Sequence, residues 1–279
     1  MPVIDAHQHF WKPARGDYGW MSPDDAVLYR DYLPADLAPE LKAAGVDYTV
    51  TVQAADTEDE TRFMLSLAEE TDFIAGVVGW VDMERSDFPD RLAALAEHAK
   101  FKGIRPMLQD LEDDAYILRP TVLANLKHLA ETGLAFDFLT FPRHLPHVLK
   151  ALEEVPELRA VIDHVSKPAI AAGTLDPWRS LMAEIAAHEG VHCKVSGMVT
   201  EADHARWMPD DLAPYVDHVV ECFGPDRLIY GSDWPVALLA APYERVIGTA
   251  RALLGARLDA DGMGKAFGEN AARFYRLAV

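Results

Sequence analysis

Two histidines separated by one residue stand near the start of the chain, in Asp5-Ala-His7-Gln-His9. On an extended strand alternate side chains share a face, so His7 and His9 point the same way. Paired imidazoles suit a metal, or a polar site that grips a carbonyl oxygen; two partly exposed histidines are the plainer reading. Near the other end, in Leu-Ile229-Tyr230-Gly231-Ser232-Asp233-Trp234-Pro235, Ile229, Gly231 and Asp233 share a face. Asp233 therefore ends a small or apolar column, where a carboxylate can take a proton from water; an Asx cap before Pro235 is the alternative. His164 closes a buried run that continues through Ser166-Lys167-Pro168. Arg105 and Lys194 fall at inward-pointing positions, where a cation needs a partner or a substrate. Ion pairs with Asp137 or Asp163 would serve equally. Gln53 ends another run, to donate to a ligand or to close the structure above it. Trp11, Trp80, Trp207 and Trp234 sit at run ends or in loops, as ring-stacking faces or as loop anchors.

These residues need a frame that brings run ends together. Short β-branched runs recur at residues 3–9, 48–54, 74–81, 101–107, 134–140, 160–166, 191–198 and 228–236. Helical patterns lie between them at 59–70 (Phe63, Met64 and Leu67 on one face), 88–99, 120–131, 145–153, 177–188, 209–222 and 243–254. Several open on proline or acidic residues and several close near glycine, as at Gly133, Gly190 and Gly255. Such alternation predicts a parallel sheet. A doubly wound sheet would announce itself with a glycine-rich first turn, and none is present. The expected fold is an α/β single-domain (β/α)8 TIM barrel over residues 1–279, with its chemistry at the carboxyl ends of the strands.

Composition narrows the function. The 279 residues carry 26 Lys+Arg against 45 Asp+Glu, a formal net charge of −19. A chain this acidic is expected to bind neither nucleic acid nor an anionic membrane surface. No apolar run nears the ~20 residues of a membrane span, and the early polar residues argue against a signal peptide. Cys193 and Cys222 make no disulfide framework. The cytoplasm is the expected location. His144 and His147 read as helix-start or surface residues, and His98, His128, His188, His204 and His218 as solvent-facing. There is no Gly-x-Ser-x-Gly elbow, His-Glu-x-x-His pair or P-loop.

Taken together, Ile-Asp-Ala-His-x-His, Asp163-His164-x-x-Lys-Pro and Tyr-Gly-Ser-Asp233-Trp-Pro resemble the amidohydrolase superfamily. More narrowly the chain is similar to the amidohydrolase-2 group, which contains L-fuconolactonase-like, L-rhamnonolactonase-like and 2-pyrone-4,6-dicarboxylate lactonases. Lys102-Gly-Ile-Arg105-Pro, Lys194-Val-Ser-Gly and Gly268-Glu-Asn270-Ala-Ala-Arg-Phe-Tyr275 match the same group. The resemblance implies that Asp233 activates water while His7, His9 and His164 surround the scissile carbonyl. Arg105, Lys194, Gln53, Trp11 and Trp234 would hold the substrate. Strand five (Phe136-Asp137-Phe-Leu-Thr140) lacks the extra histidine of mononuclear members, and Arg105 stands where binuclear ones use a bridging ligand. The expected enzyme thus needs no cofactor, or holds one divalent ion, zinc, weakly through His7, His9 and Asp233. Its expected partner is a small sugar lactone, such as L-fucono-, L-rhamnono- or L-galactono-lactone, with a homo-oligomer allowed. A metal-dependent amidohydrolase or decarboxylase and a 2-pyrone-4,6-dicarboxylate-type lactonase are the alternatives.

Overall fold

A computed structural model describes residues 1–279. Each β-branched run pairs in parallel with the next, giving one eight-stranded sheet in sequence order. The strands are β1 (Ile4–Gln8), β2 (Tyr48–Val52), β3 (Ile74–Gly79), β4 (Phe101–Ile104), β5 (Ala135–Phe138), β6 (Ala160–Ile162), β7 (Val191–Val195) and β8 (Leu228–Tyr230). Beyond β1 and β8 the ring is joined by His9 N–H donating to Trp234 O at 2.7 Å and Asp233 N–H to His7 O at 2.8 Å. Around it lie α1 (Pro34–Ala44), α2 (Glu58–Glu70), α3 (Phe88–Ala96), α4 (Pro120–Thr132), α5 (Leu145–Glu154), α6 (Trp178–Ala186), α7 (Pro209–Phe223) and α8 (Tyr243–Gly255). This is a (β/α)8 barrel. No helix is long and apolar enough to cross a membrane.

Strand alternation divides the apolar residues into two cores. Outward positions such as Phe136, Phe138, Ile162, Cys193 and Leu228 pack under the helices. Inward ones (Ile4, Ala6, Val50, Val52, Val78, Ala135, Val161, Ile229) fill the barrel. The barrel floor is closed by the C-terminal segment, through α9 (Ala260–Gly264), a five-residue π-turn and α10 (Asn270–Phe274). Ala271, Phe274 and Tyr275 join the inner core, and the Asn270 amide donates to Pro225 O and Leu228 O.

Three local features depart from the sequence reading. Helix α1 lies in a stretch without a helical pattern in the sequence: two of its eleven residues are proline and only Leu37 and Leu41 are buried, so amphipathic periodicity is faint. In α2 the buried face is Glu60, Thr61, Met64, Leu65 and Ala68, with Phe63 and Leu67 at its margin. Every strand stops before the end of its run, β8 by the most, ending at Tyr230 where the run continues to 236.

Candidate active site

The imidazoles reach the mouth through breaks in regular geometry. In β1 the pairing register with β2 shifts between Asp5 and Gln8. Ile4 and Ala6 face inward, whereas Gln8 bonds the outward Thr49 and Thr51 hydroxyls at 3.1 and 2.7 Å. The irregularity therefore flips alternation and swings His7 and His9 to the inside. His9 Nδ1 donates to Val52 O at 2.7 Å, because a carbonyl can only accept. That places its Nε2 toward Asp233 Oδ1, 3.2 Å away.

His164 opens a run of four left-handed residues: His164, Val165, Ser166 and Lys167 have φ of 52, 46, 59 and 47°. Each such residue is held at a cost of order 1–3 kcal/mol, so the surroundings must enforce it. Trp178 Nε1 donates to Val165 O at 2.6 Å, the Ser166 and Thr140 hydroxyls meet at 2.9 Å, and His164 Nδ1 lies 2.9 Å from Ser196 Oγ. Gly197, itself at φ +57°, makes the ring's place: a Cβ there would fall 2.6 Å from His164 Cγ and closer still to Nδ1. Asp233 too is left-handed, at φ 60°.

One carboxylate oxygen thus lies among three imidazoles. Asp233 Oδ1 is 3.2 Å from His9 Nε2, 3.7 Å from His164 Nε2 and 3.8 Å from His7 Nε2. Burial opposes its ionisation, but the facing His164 and the bond to His9 outweigh burial and hold the carboxyl below its ordinary range. Burial, reinforced by Lys194 and Arg105, pushes His7 well below the usual histidine value. Burial pushes His164 down likewise. At neutral pH the site therefore holds an ionised carboxylate between two neutral imidazoles, an arrangement able to accept a proton from water.

Above this group opens a cavity of about 240 Å³ lined by His9, His164, Asp233, Arg105, Lys167, Trp11 and Trp20, among others. Of the residues singled out for substrate, Arg105 and Trp11 line it, while Gln53, Lys194 and Trp234 do not. Gln53 Nε2 donates to Arg105 O at 2.7 Å and its carbonyl groups receive the Arg105 guanidinium, so it closes the barrel mouth. Lys194 is fully buried below His7, 2.6 Å from Asp137 Oδ2. Trp234 packs edge-on against Tyr32 and Phe10. Trp11 is 0 % exposed and spends its N–H on Leu28 O and Arg30 O. The indole open to the cavity is Trp20, 42 % exposed, held by Nε1–H donating to Ala54 O at 2.6 Å. Sequence reasoning missed Trp20 because no strand end marks it. It also passed over Lys167 as a ligand, although the residue stands in the quoted Asp-His-x-x-Lys-Pro motif.

The donor set fits one divalent ion. His7, His164 and Asp233 offer ligand atoms all within 4.8 Å of one another, and two neutral imidazoles with a carboxylate are zinc-type donors. The expected set of His7, His9 and Asp233 is thus regrouped, His9 bonding the carboxylate while His164 completes the cluster. Arg105 Nη1 also lies 3.2 Å from His7 Nε2.

Comparison with known proteins agrees with this architecture. Across 98% of this chain and 95% of the relative, it is 46% identical to an L-fucono-1,5-lactonase of Burkholderia ambifaria. A second L-fucono-1,5-lactonase, from Burkholderia multivorans, is 38% identical over 98% of this chain and 96% of its own length. Among solved structures, a zinc-bound amidohydrolase of Burkholderia multivorans superposes with a TM-score of 0.95 at 37% identity, covering 99% of this chain and 100% of the other. The amidohydrolase family profile (Amidohydro_2) matches residues 4–277. With imidazoles from β1 and β6 facing an aspartate beyond β8 at one barrel mouth, the chain belongs to the amidohydrolase family.

Proposed function

We propose that this chain hydrolyses a sugar lactone, an aldonolactone of the L-fucono-1,5 kind, with Asp233 activating water. The observation that carries the reading is Asp233 Oδ1 among three imidazole Nε2 atoms at the foot of a cavity walled by Trp20 and Trp11. The L-fucono-1,5-lactonase activity of the two relatives supports the substrate class. Water gives a proton to Asp233 as its oxygen bonds the lactone carbonyl carbon, and the carbonyl electron pair moves onto oxygen. Arg105, Lys167 and the imidazoles face that oxyanion, each well-aimed donor contributing roughly 3–4 kcal/mol. Collapse restores the carbonyl and breaks the bond to the ring oxygen, which leaves with the proton from Asp233. A hydroxy acid results and the base is regenerated. A lactone lacks amide resonance, so its carbonyl needs less polarisation than an amide's. A divalent ion held by His7, His164 and Asp233 would polarise the same carbonyl.

Charge placement selects among lactones. A dicarboxylate calls for converging arginines, yet Arg119, Arg143 and Arg206 are engaged by Asp113, Asp114 and Asp203 and Arg105 alone of the arginines lines the cavity. Indole and Lys167 suit a polyhydroxylated ring, apolar on one face and hydrogen-bonding at its edge. The cytoplasm is the proposed workplace, in keeping with two unpaired cysteines. A pH-indicator assay over L-fucono-, L-rhamnono- and L-galactono-lactones and 2-pyrone-4,6-dicarboxylate, before and after chelation, tests the reading. Turnover of L-fucono-1,5-lactone is expected, falling by about 10²–10⁴-fold in Asp233→Asn. Turnover of the dicarboxylate alone overturns the substrate class, and near-wild-type turnover by Asp233→Asn removes the base.

A further inference from the structure

Below the mouth lies a second group of cation-binding side chains. His7, Asp137 and Asp163 bring ligand atoms within 4.8 Å of one another, all buried. The side chain of Lys194, 0 % exposed, enters it. Its Nζ lies 2.6 Å from Asp137 Oδ2, 3.0 Å from Asp163 Oδ1 and 3.1 Å from His7 Nδ1. An ammonium carries three protons and no lone pair, and here it meets one atom from each of three electron-rich side chains. The Tyr275 ring lies 5.3 Å from the same Nζ, and its hydroxyl donates to Asp137 at 2.8 Å. Two carboxylates confined this closely need compensating positive charge, since unpaired burial of either is prohibitive. Arg105, 3.4 Å from Asp163 Oδ2, supplies a second cation from above.

We propose that Lys194 is a resident cation: its ammonium fills the deeper imidazole–carboxylate cluster in the place an ion would take, and so backs His7 in register for the lactone carbonyl. Lys194 does not line the cavity; it is a positioning residue acting through His7, whose Nε2 lies 3.8 Å from Asp233 Oδ1. Tyr275 extends the support to the C-terminal floor, linking closure of the barrel bottom to alignment at its top. The catalytic half of the inference rests on the lactonase reading, and the cation half does not.

The test is Lys194→Ala, which removes the ammonium and leaves room for a guest. Melting temperature and metal content are followed against Zn²⁺, Mn²⁺ and n-propylammonium, with n-propanol as the neutral control. The variant is expected to melt lower than wild type, to rise again with the cations and not with n-propanol, and to retain more divalent ion per chain after desalting than wild type treated alike. Its kcat is expected to fall about 10²-fold with KM little changed, and to recover in step with the cation. A variant of wild-type stability and rate with no added cation overturns the proposal, as does recovery with n-propanol equal to that with n-propylammonium. Should Lys194→Ala fail to fold, the combination Lys194→Met, Asp137→Asn and Asp163→Asn removes the cluster's charges together, a replacement buried ion pairs often tolerate. Folding of that variant with a lowered kcat is the expected result, and an undiminished kcat overturns the positioning role. If wild type turns over no lactone while the cation-dependent melting persists, the lactonase reading fails and the resident cation stands.

Discussion

Replacing Gly197 by alanine tests whether the position of His164, rather than its mere presence, governs turnover. The added methyl has two effects that can be separated. At φ +57° alanine occupies the left-handed region at a cost of about 1–2 kcal/mol, offset by about 0.4–1 kcal/mol from a stiffer unfolded chain. The second effect is steric: the new Cβ would press on His164 Nδ1 and lie 2.6 Å from its Cγ. Ordinary contact requires about 3.5 Å, so the ring must retreat by roughly 1 Å. That breaks its 2.9 Å contact with Ser196 Oγ and shifts Nε2 from its 3.7 Å approach to Asp233. A displacement of ~1 Å at a reacting centre lowers turnover by about 10²-fold. Gly173 supplies the control, since it has φ +64° and a methyl added there would meet nothing within 4 Å. Both alanine variants should lose about 1 kcal/mol, and at most about 1.6, from backbone strain in urea denaturation; only Gly197→Ala should lose kcat in the pH-indicator assay on L-fucono-1,5-lactone. Equal kcat in the two variants would refute the claim that this ring's placement matters.

Three further outcomes are expected. Trp20→Ala removes the exposed cavity indole and should raise KM for a sugar lactone by about 2–10-fold, the equivalent of ~0.5–1.5 kcal/mol of ring contact, with kcat less affected; an unchanged KM would deny it a platform role. Because the Asp233 carboxyl is held below its ordinary range and the base acts ionised, kcat/KM should stay level as pH falls to about 4 and drop only beneath that; a decline centred near pH 6 would point to another base. Burial lifts the Glu60 carboxyl from 4.5 to about 8, against hydrogen bonds from the Ala54 and Ala55 amides. The folded state then binds the extra proton between those values, so this residue's contribution to stability falls as pH rises from about 4.5 to about 8. Glu60→Gln should flatten that part of the stability profile in urea denaturation at pH 5 and 8, and an unaltered pH slope would contradict the assignment.

Much of the frame is legible in the residues themselves. Period-two alternation places Lys194 inward and Cys193 outward, and the structure keeps those faces, with Lys194 meeting the Asp137 and Asp163 that the sequence offered as its partners. Proline and glycine punctuation marks most helices, with Gly133 capping α4 in the left-handed conformation. These are local rules, so a single run of residues suffices to apply them. Helix α1 escaped them because its two prolines and two buried leucines leave little periodicity to read.

What residues 7, 164 and 233 do together is decided elsewhere. Alternation accounts for His7 and His9 sharing a face, but only the shifted register beside β2 turns that face inward once Ile4 and Ala6 have filled it. Nothing in Asp-His-Val-Ser-Lys announces four consecutive left-handed residues, a conformation unfavourable by itself and sustained by Trp178, Thr140 and Ser196. The tryptophans divide the same way: Trp11 and Trp234 are spent on packing, while Trp20 is left open by how the loop after β1 folds back over Ala54. Strand identity, facing and charge were thus set by neighbours along the chain, each contributing through short-range sterics and solvation. Register shifts, strained turns and the choice of exposed indole depend on contacts between distant segments, whose energies exist only once the barrel has closed.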